Sequence, residues 1–210
     1  MTGDLAKALA ELQEQEALDI TRARLDAGED PNKVLADARK GMGIVGDRFA
    51  KGEYFIPDLV YSGEILKQVT DLVRPKLTGS ATREKKLAKI VLGTVAGDIH
   101  DIGLNIVEFM LDTNGFEVYN LGVDVPPQKF VEKTRETGAP IVALSGFLTL
   151  AFDSMKETVK ALETAGIRKN IKIMIGGGQI DEQVKNYTGA DAYGKDAMEA
   201  VVLAKKWTAG

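Results

Sequence analysis

Apolar residues in the first third of the chain follow the spacing of amphipathic helices. A first helical segment covers residues 4–27 and ends at Gly28, and Asp30-Pro31 has the residue types that cap and open the next helix. A third helix begins at Pro57. The apolar positions of the three segments are Leu5, Leu9, Leu12, Ala17, Ile20, Ala23; Val34, Ala38, Met42, Val45, Phe49; and Leu59, Leu66, Val69, Val73. Short connections between such segments predict an antiparallel bundle of three or four helices.

From Leu87 onward, β-branched apolar runs alternate with helical segments. The near-continuous apolar character of the runs predicts parallel strands that helices cover on both faces. We expect an α/β chain in which the helical bundle precedes a five-stranded parallel sheet. The expected strands are 88–95, 117–121, 140–145, 171–175 and 190–193, and the expected helices are 104–114, 127–137, 152–165, 181–187 and 195–207.

The segment between these two patterns has the composition of a linker. From Pro75 to Lys86 the apolar periodicity stops, and polar and turn-forming residues take over. We therefore predict a helical domain over 1–78, a linker over 79–86 and an α/β domain over 87–210. The linker is a candidate hinge.

Composition narrows the chemistry that the chain can perform. The net charge of −4 and the pI near 5.2 argue against nucleic-acid and anionic-membrane partners. No apolar run reaches the roughly 20 residues of a membrane span, and no secretory signal is evident at Met1, so a cytoplasmic location is expected. Without cysteine, the chain has no disulfide, thiolate metal site or cysteine nucleophile. A transition metal would need most of its ligands from elsewhere, for example from a macrocycle.

The loop after the first predicted strand carries the only histidine, His100. Asp98 lies two residues before it, close enough to hold one imidazole nitrogen and leave the other free for a metal. Taken alone, the short pattern fits a capping or hydrogen-bonded loop histidine as well.

Two further strand ends carry unusual residues, Ser145 to Thr149 after the third strand and Gly176-Gly177-Gly178 after the fourth. Consecutive glycines let the backbone approach a ligand closely or adopt positive φ, although a loose turn is the simpler explanation. Residues 122–127, after the second strand, would line the same edge. Neither Gly-x-Gly-x-x-Gly nor a Walker A loop follows any of the five predicted strands, so the usual phosphate-binding motifs do not explain these glycines.

Taken in order, these motifs resemble the signature of cobalamin-binding domains, which is written DxHxxG, SxL and GG. Here it reads Asp98-x-His100-x-x-Gly103, Ser145-x-Phe147 and Gly176-Gly177, separated by residues 104–144 and 148–175. Upstream, residues 45–49 and 52–57 resemble the helical cap domain that precedes the cobalamin domain in methionine synthase. The whole chain is similar to corrinoid methyl-carrier proteins of three-component methyltransferase systems. The expected fold is a helical bundle followed by a flavodoxin/Rossmann-like sheet domain.

The resemblance implies that cobalamin, as methylcobalamin or cob(I)alamin, binds base-off. His100 would be the lower axial ligand of cobalt, and Asp98 would orient it. The glycines would leave room for the displaced nucleotide tail, and Ser145 would contact its benzimidazole. The full set of implied cofactor-binding residues is Asp98, His100, Asp101, Ile102, Gly103, Ser145, Phe147, Thr149, Gly176, Gly177 and Gly178.

The same resemblance implies a carrier that is not catalytic on its own. It would take a methyl group from a substrate-specific methyltransferase and present it to a second methyltransferase. A reductive activase is a candidate third partner. No nucleic-acid or membrane partner is expected.

Two positions depart from the family pattern. Phe147 replaces the leucine of SxL, and Ala151 stands where methionine synthase has the serine of a His-Asp-Ser proton relay. The relay would be truncated, or rerouted through Thr149 or water. Tyr54 and Phe55 either cover the upper face of the corrin or make core contacts in the bundle.

Three alternatives stay open on the sequence alone. A cobalamin-binding subunit of an adenosylcobalamin mutase would share the signature but would not need the cap. A cobalamin-dependent sensor or regulator would usually carry a DNA-binding or signalling segment. A flavodoxin-like receiver domain would need an acidic cluster, at which Asp98 and Asp101 hint, but it would leave the Gly176 loop unexplained.

Overall fold

The computed structural model describes residues 3–76 and 86–209. The chain divides into two compact units, residues 1–85 and 86–210. Of the predicted linker, residues 79–85 lie outside the described part of the chain, and the predicted domain boundaries stay a prediction. The N-terminal unit is helical, with α1 at Leu5–Ala10, α2 at Glu14–Asp26, α3 at Pro31–Ala50 and α4 at Ile56–Val73, followed by a 3-10 turn at Arg74–Lys76.

The single helix expected over residues 4–27 is wrong, because the chain turns between α1 and α2. Leu12 adopts a φ of 59°, a left-handed conformation that an α-helix cannot contain. The Gln13 N–H then bonds the Ala8 carbonyl oxygen at 2.9 Å and closes the end of α1. The apolar spacing continues through Leu12, and for that reason the pattern concealed the break.

The helical unit has a buried core of its own. Helix α3 packs against α1 and α4, and α2 packs against α4. A Cβ built on Gly41 would lie 2.7 Å from the Ala6 carbonyl oxygen, so glycine allows α3 to approach α1 closely. Fully buried apolar side chains fill the interior, among them Leu9, Val34, Met42, Val45, Ile65 and Val69.

The C-terminal unit is the expected parallel sheet. Its strands are β1 at Lys89–Thr94, β2 at Glu117–Asn120, β3 at Ile141–Ser145, β4 at Lys172–Gly176 and β5 at Ala192–Gly194, in the order β2-β1-β3-β4-β5. All neighbouring pairs are parallel. The connecting helices are α5 at Ile102–Thr113, α6 at Pro127–Thr137, α7 at Ala151–Thr164 and α8 at Glu182–Thr188, and α9 at Ala197–Thr208 follows β5.

The central strands are buried on both faces, as their continuous apolar runs predicted. Five consecutive residues of β1 and four of β3 are buried. One face of the sheet packs Val91, Val142 and Ile173 against Phe130 of α6 and Met155 of α7. No helix in the described ranges is both long and apolar enough to cross a membrane.

Candidate functional site

The strand order creates a crevice between β1 and β3. The chain leaves β1 toward β2 on one side and later returns to β3 on the other, so the loops after β1 and β3 diverge at this point. Ligands of open parallel sheets bind at such a switch point, beyond the carboxyl ends of the strands. The residues after β1 contain His100, and those after β3 begin with Gly146 and Phe147.

Asp98 ties these two loops together. Its Oδ1 accepts hydrogen bonds from the His100 backbone N–H at 3.0 Å and contacts the His100 Nδ1 at 2.6 Å. Its Oδ2 accepts the backbone N–H groups of Phe147 at 2.6 Å and Leu148 at 3.0 Å. One buried carboxylate therefore orients the imidazole and joins the His100 loop to the loop after β3.

These bonds keep Asp98 ionised. Burial by itself raises the pKa of a carboxyl group because it removes water from the charged form. The backbone N–H groups of Leu148 and His100, the His100 side chain and the Phe147 N–H act in the opposite direction and together lower the pKa of Asp98 to about 2. The site thus holds a fixed negative charge beside the imidazole at neutral pH.

His100 presents one side of its ring outward. Its side chain is 49% exposed, whereas that of Asp98 is fully buried. Because Nδ1 faces the carboxylate, Nε2 lies on the opposite side of the ring and is the nitrogen available to a ligand. The buried Thr94 hydroxyl donates to the His100 carbonyl oxygen at 3.1 Å and holds the backbone of the loop.

The loop after β2 supports the His100 loop from the other side. Asp124, at a φ of 51°, accepts the Gly97 N–H through Oδ1 at 2.8 Å and donates its own N–H to the Asp98 carbonyl oxygen at 2.9 Å. A parallel bridge joins Val95 to Val125 next to it. Sequence reasoning placed residues 122–127 on this edge but assigned Asp124 no role, because its partners are distant in the chain.

The glycines after β4 permit a close crossing of backbones. Gly177 has a φ of 144°, and a Cβ built on it would lie 1.8 Å from the Gly146 carbonyl oxygen. The Gly146 N–H also bonds the Gly176 carbonyl oxygen at 3.0 Å. A Cβ on Gly178 would lie 2.5 Å from the Phe147 ring. The structure thus brings the loops after β3 and β4 into direct contact.

The remaining expected site residues lie along the same edge but differ in exposure. Ser145 is partly buried at the end of β3, and Thr149 is exposed. Asp101 and Ile102 are exposed at the start of α5, and a Cβ built on Gly103 would meet no atom within 4 Å. Ala151 is buried as the first residue of α7.

The Asp98 carboxylate finds its partners without a hydroxyl relay. Its second oxygen is bonded by two backbone N–H groups, and neither Ser145 nor Thr149 contributes a side-chain bond to it among the described residues. The backbone of the loop after β3 therefore holds this oxygen, and the expected truncation or rerouting of the relay stays a prediction.

Tyr54 and Phe55 of the helical unit have different surroundings. The Tyr54 hydroxyl donates to the Ala10 carbonyl oxygen at 2.7 Å and accepts from Arg48 at 2.7 Å, so Tyr54 makes a contact within the bundle. Phe55 precedes α4 and is 66% exposed. Of these two residues, Phe55 is the one with an exposed aromatic ring.

The crevice edge is apolar, and few of its groups ligate metals. Several large apolar side chains remain exposed after β1, β2 and β3: Ile99, Ile102, Val123, Phe147, Leu148 and Leu150. Exposed apolar side chains concentrated at one edge are typical of ligand-binding and partner-binding surfaces. Within the described ranges, no group of three or more His, Asp or Glu side chains could hold a metal ion. A metal bound at His100 would therefore arrive with its own ligands.

Comparison with known proteins identifies the ligand class. Family profiles described as B12 binding domain match residues 88–202 and residues 2–74. The dimethylamine corrinoid protein 3 of Methanosarcina acetivorans is 37% identical over 191 residues, which cover 91% of this chain and 87% of that protein.

Two solved structures share the architecture of nearly the whole chain. A cobalamin-binding protein from Desulfitobacterium hafniense DCB-2 is 41% identical, with a TM-score of 0.83 and coverage of 97% of this chain and 96% of that one. A chain of the methanol:cobalamin methyltransferase complex MtaBC from Methanosarcina barkeri is 27% identical, with a TM-score of 0.81 and coverage of 99% and 79%.

Proposed function

The chain belongs to the B12-binding protein family, and we propose that it is a corrinoid protein that holds cobalamin base-off through His100 and carries methyl groups between two methyltransferases. The single observation that carries the proposal is the Asp98–His100 pair at the β1/β3 crevice. The buried, ionised Asp98 carboxylate holds the Nδ1 side of the imidazole, and the other ring nitrogen faces outward.

The residues of the crevice fit this cofactor. Cobalamin brings its own macrocyclic nitrogen ligands, which suits a site where the chain offers one histidine. The exposed apolar side chains at the edge suit the broad apolar corrin. The open space next to Gly103, where a Cβ would meet no atom, leaves room for a tail at the start of α5.

Each residue contributes by binding or positioning. His100 would offer Nε2 to cobalt, and Asp98 holds the orientation and tautomer of the imidazole through Nδ1. Ser145 lies at the end of β3 beside the crevice, where it can accept or donate one hydrogen bond to the displaced base. The cofactor supplies the chemistry, since its cobalt accepts a methyl group and gives it up again.

A carrier of this kind needs partner proteins. The names of the similar proteins include different methyl compounds, dimethylamine in one and methanol in the other. This difference fits a carrier whose donor is chosen by its partner methyltransferase. We expect a substrate-specific methyltransferase on one side, a second methyltransferase on the other and a reductive activase that restores inactivated cofactor. The cytoplasm is the compartment in which we expect this exchange.

The test is a visible absorption spectrum of the purified protein after mixing with hydroxocobalamin and desalting. The wild-type protein is expected to retain the corrinoid with a base-off, histidine-ligated spectrum, and the His100→Ala variant to lose that ligation. Val202→Ala, which trims an exposed side chain on α9, serves as the control. A colourless wild-type protein would contradict cobalamin binding, and equal spectra for wild type and His100→Ala would contradict the role of His100.

The carrier role needs a second measurement. Protein loaded with methylcobalamin should give up the methyl group only when the second methyltransferase and its acceptor are added. Tighter binding of adenosylcobalamin than of methylcobalamin, with no transfer, would indicate a mutase subunit instead.

A further inference from the structure

Phe147 occupies a central position in the crevice. It follows β3 and Gly146, and its backbone N–H donates to Asp98 Oδ2 at 2.6 Å. The backbone of Phe147 is therefore fixed to the same carboxylate that orients His100. Its side chain is a phenylalanine where the family pattern has leucine.

The Phe147 ring contacts both sides of the crevice. Its centroid lies 4.6 Å from that of the His100 imidazole, with the two planes inclined by 34°. This distance and tilt lie in the range of favourable aromatic contacts. The same ring lies against the backbone of Gly178, where a Cβ would be 2.5 Å from Cε2. The ring thus spans the space between the histidine and the glycines after β4.

The Phe147 ring is only partly buried in this position. Phe147 is 52% exposed, so about half of its surface gains nothing from burial. A half-exposed aromatic side chain can change rotamer without opening the core. Its contacts with His100 and with the Gly178 backbone keep it across the crevice.

We propose that Phe147 is a positioning residue that steadies the His100 ring in the free protein and fills the space between His100 and Gly178 until cobalamin binds. This inference rests on the proposed function, because it takes this space as the one that receives the nucleotide tail. Entry of the tail requires the ring to rotate away. Binding then loses the aromatic contact, and the affinity for cobalamin is lower than the crevice could otherwise give.

The first experiment tests the contact in the free protein. His100 is the only histidine, so its imidazole C–H signals in a proton NMR spectrum are unambiguous. The Phe147 ring current should shift these signals, and the shift should disappear in both Phe147→Leu and Phe147→Ala. Val202→Ala should leave it unchanged. Signals that stay in place in both Phe147 variants would overturn the contact.

The second experiment measures the dissociation constants of two corrinoids by absorption titration. Cobinamide lacks the nucleotide tail that cobalamin carries. In Phe147→Leu and Phe147→Ala, the dissociation constant for cobalamin should fall roughly three- to tenfold and that for cobinamide should stay within a factor of two. At 1.4 kcal/mol per tenfold, this change corresponds to about 0.7–1.4 kcal/mol, the range of one aromatic contact.

The outcomes separate the two proposals. Cobalamin binding that is unchanged or weaker in both variants would overturn the role of Phe147 while leaving the carrier function intact. An equal gain for cobalamin and cobinamide would also overturn it, because the ring would then oppose the corrin and not the tail. A wild-type protein that retains no corrinoid would contradict the proposed function itself.

Discussion

At the scale of single residues, Asp98 determines the geometry of the site. Four hydrogen bonds converge on one carboxylate, three of them from backbone N–H groups. Backbone donors cannot rotate away, so the charge and the direction of the imidazole are both set before any ligand arrives.

The low pKa of Asp98 is a contribution to stability. A shift from 3.8 to about 2 corresponds to about 2 kcal/mol at neutral pH. Because the folded-state pKa lies below the unfolded one, this stabilisation is complete above about pH 5 and declines as the pH falls toward 2.

We expect Asp98→Asn to lower the free energy of unfolding by about 2–3 kcal/mol at pH 7. The amide carries no charge, and its NH2 group would face backbone N–H groups that are also donors. The difference in free energy of unfolding between the variant and the wild type should be about half as large at pH 3. Urea unfolding followed by Trp207 fluorescence measures this directly, because Trp207 is the only tryptophan and lies on α9 of the sheet unit. A gap that does not vary with pH would show that the ionised carboxylate is not responsible.

At the scale of elements, the site consists of the loops that follow the strands, which contact one another. The loop after β1 is bonded to the loop after β2 through Asp124 and to the loop after β3 through Asp98, and the loops after β3 and β4 cross at Gly146 and Gly177. The glycines at this edge of the sheet therefore differ in their surroundings, and single substitutions should have different effects.

We predict three distinct results for single alanine substitutions. Gly177→Ala should lower the free energy of unfolding by at least about 2 kcal/mol, because its φ is unfavourable and the added Cβ meets a backbone carbonyl. Gly178→Ala should cost less, since the Phe147 ring can move. Gly103→Ala should be neutral or slightly stabilising within α5, yet it should weaken cobalamin binding.

Urea unfolding and corrinoid titration of the same three proteins distinguish stability from binding. Loss of stability in Gly103→Ala equal to that in Gly177→Ala would contradict the assignment of open space at Gly103.

The sequence predicted the strands to within two residues and the edge on which the motifs meet, because both follow from apolar periodicity and from the rules of parallel sheets. It did not predict the break at Leu12, where apolar spacing continues through a left-handed residue. The backbone partners of Asp98 and the contact of Asp124 were also outside its reach. Such bonds depend on how closely two loops approach, and no local pattern encodes this distance.

At the scale of the whole molecule, each unit has its own buried core. Leu9, Met42 and Ile65 are fully buried in the helical unit, and Val142 and Ile173 in the sheet unit. The three motifs, which lie between Asp98 and Gly177, all belong to the sheet unit. Cofactor binding through His100 should therefore not require the helical unit to be present.

A fragment that begins at residue 86 tests this expectation. It should show a cooperative urea transition by Trp207 fluorescence and retain cobalamin with a histidine-ligated spectrum. We expect it to lose methyl transfer if the helical unit takes part in partner recognition. A fragment without a cooperative transition would contradict the independence of the sheet unit.

Because Asp98 bonds both His100 and the loop after β3, changes at the imidazole should be detectable in the backbone of that loop. Any change in the electron density of the imidazole reaches Oδ1 through Nδ1, and the same carboxylate accepts the Phe147 and Leu148 amide protons through Oδ2. Those two amide resonances should therefore follow the oxidation and methylation state of the bound cofactor. They would report whether the carrier holds a methyl group from the protein backbone rather than from the colour of the corrin.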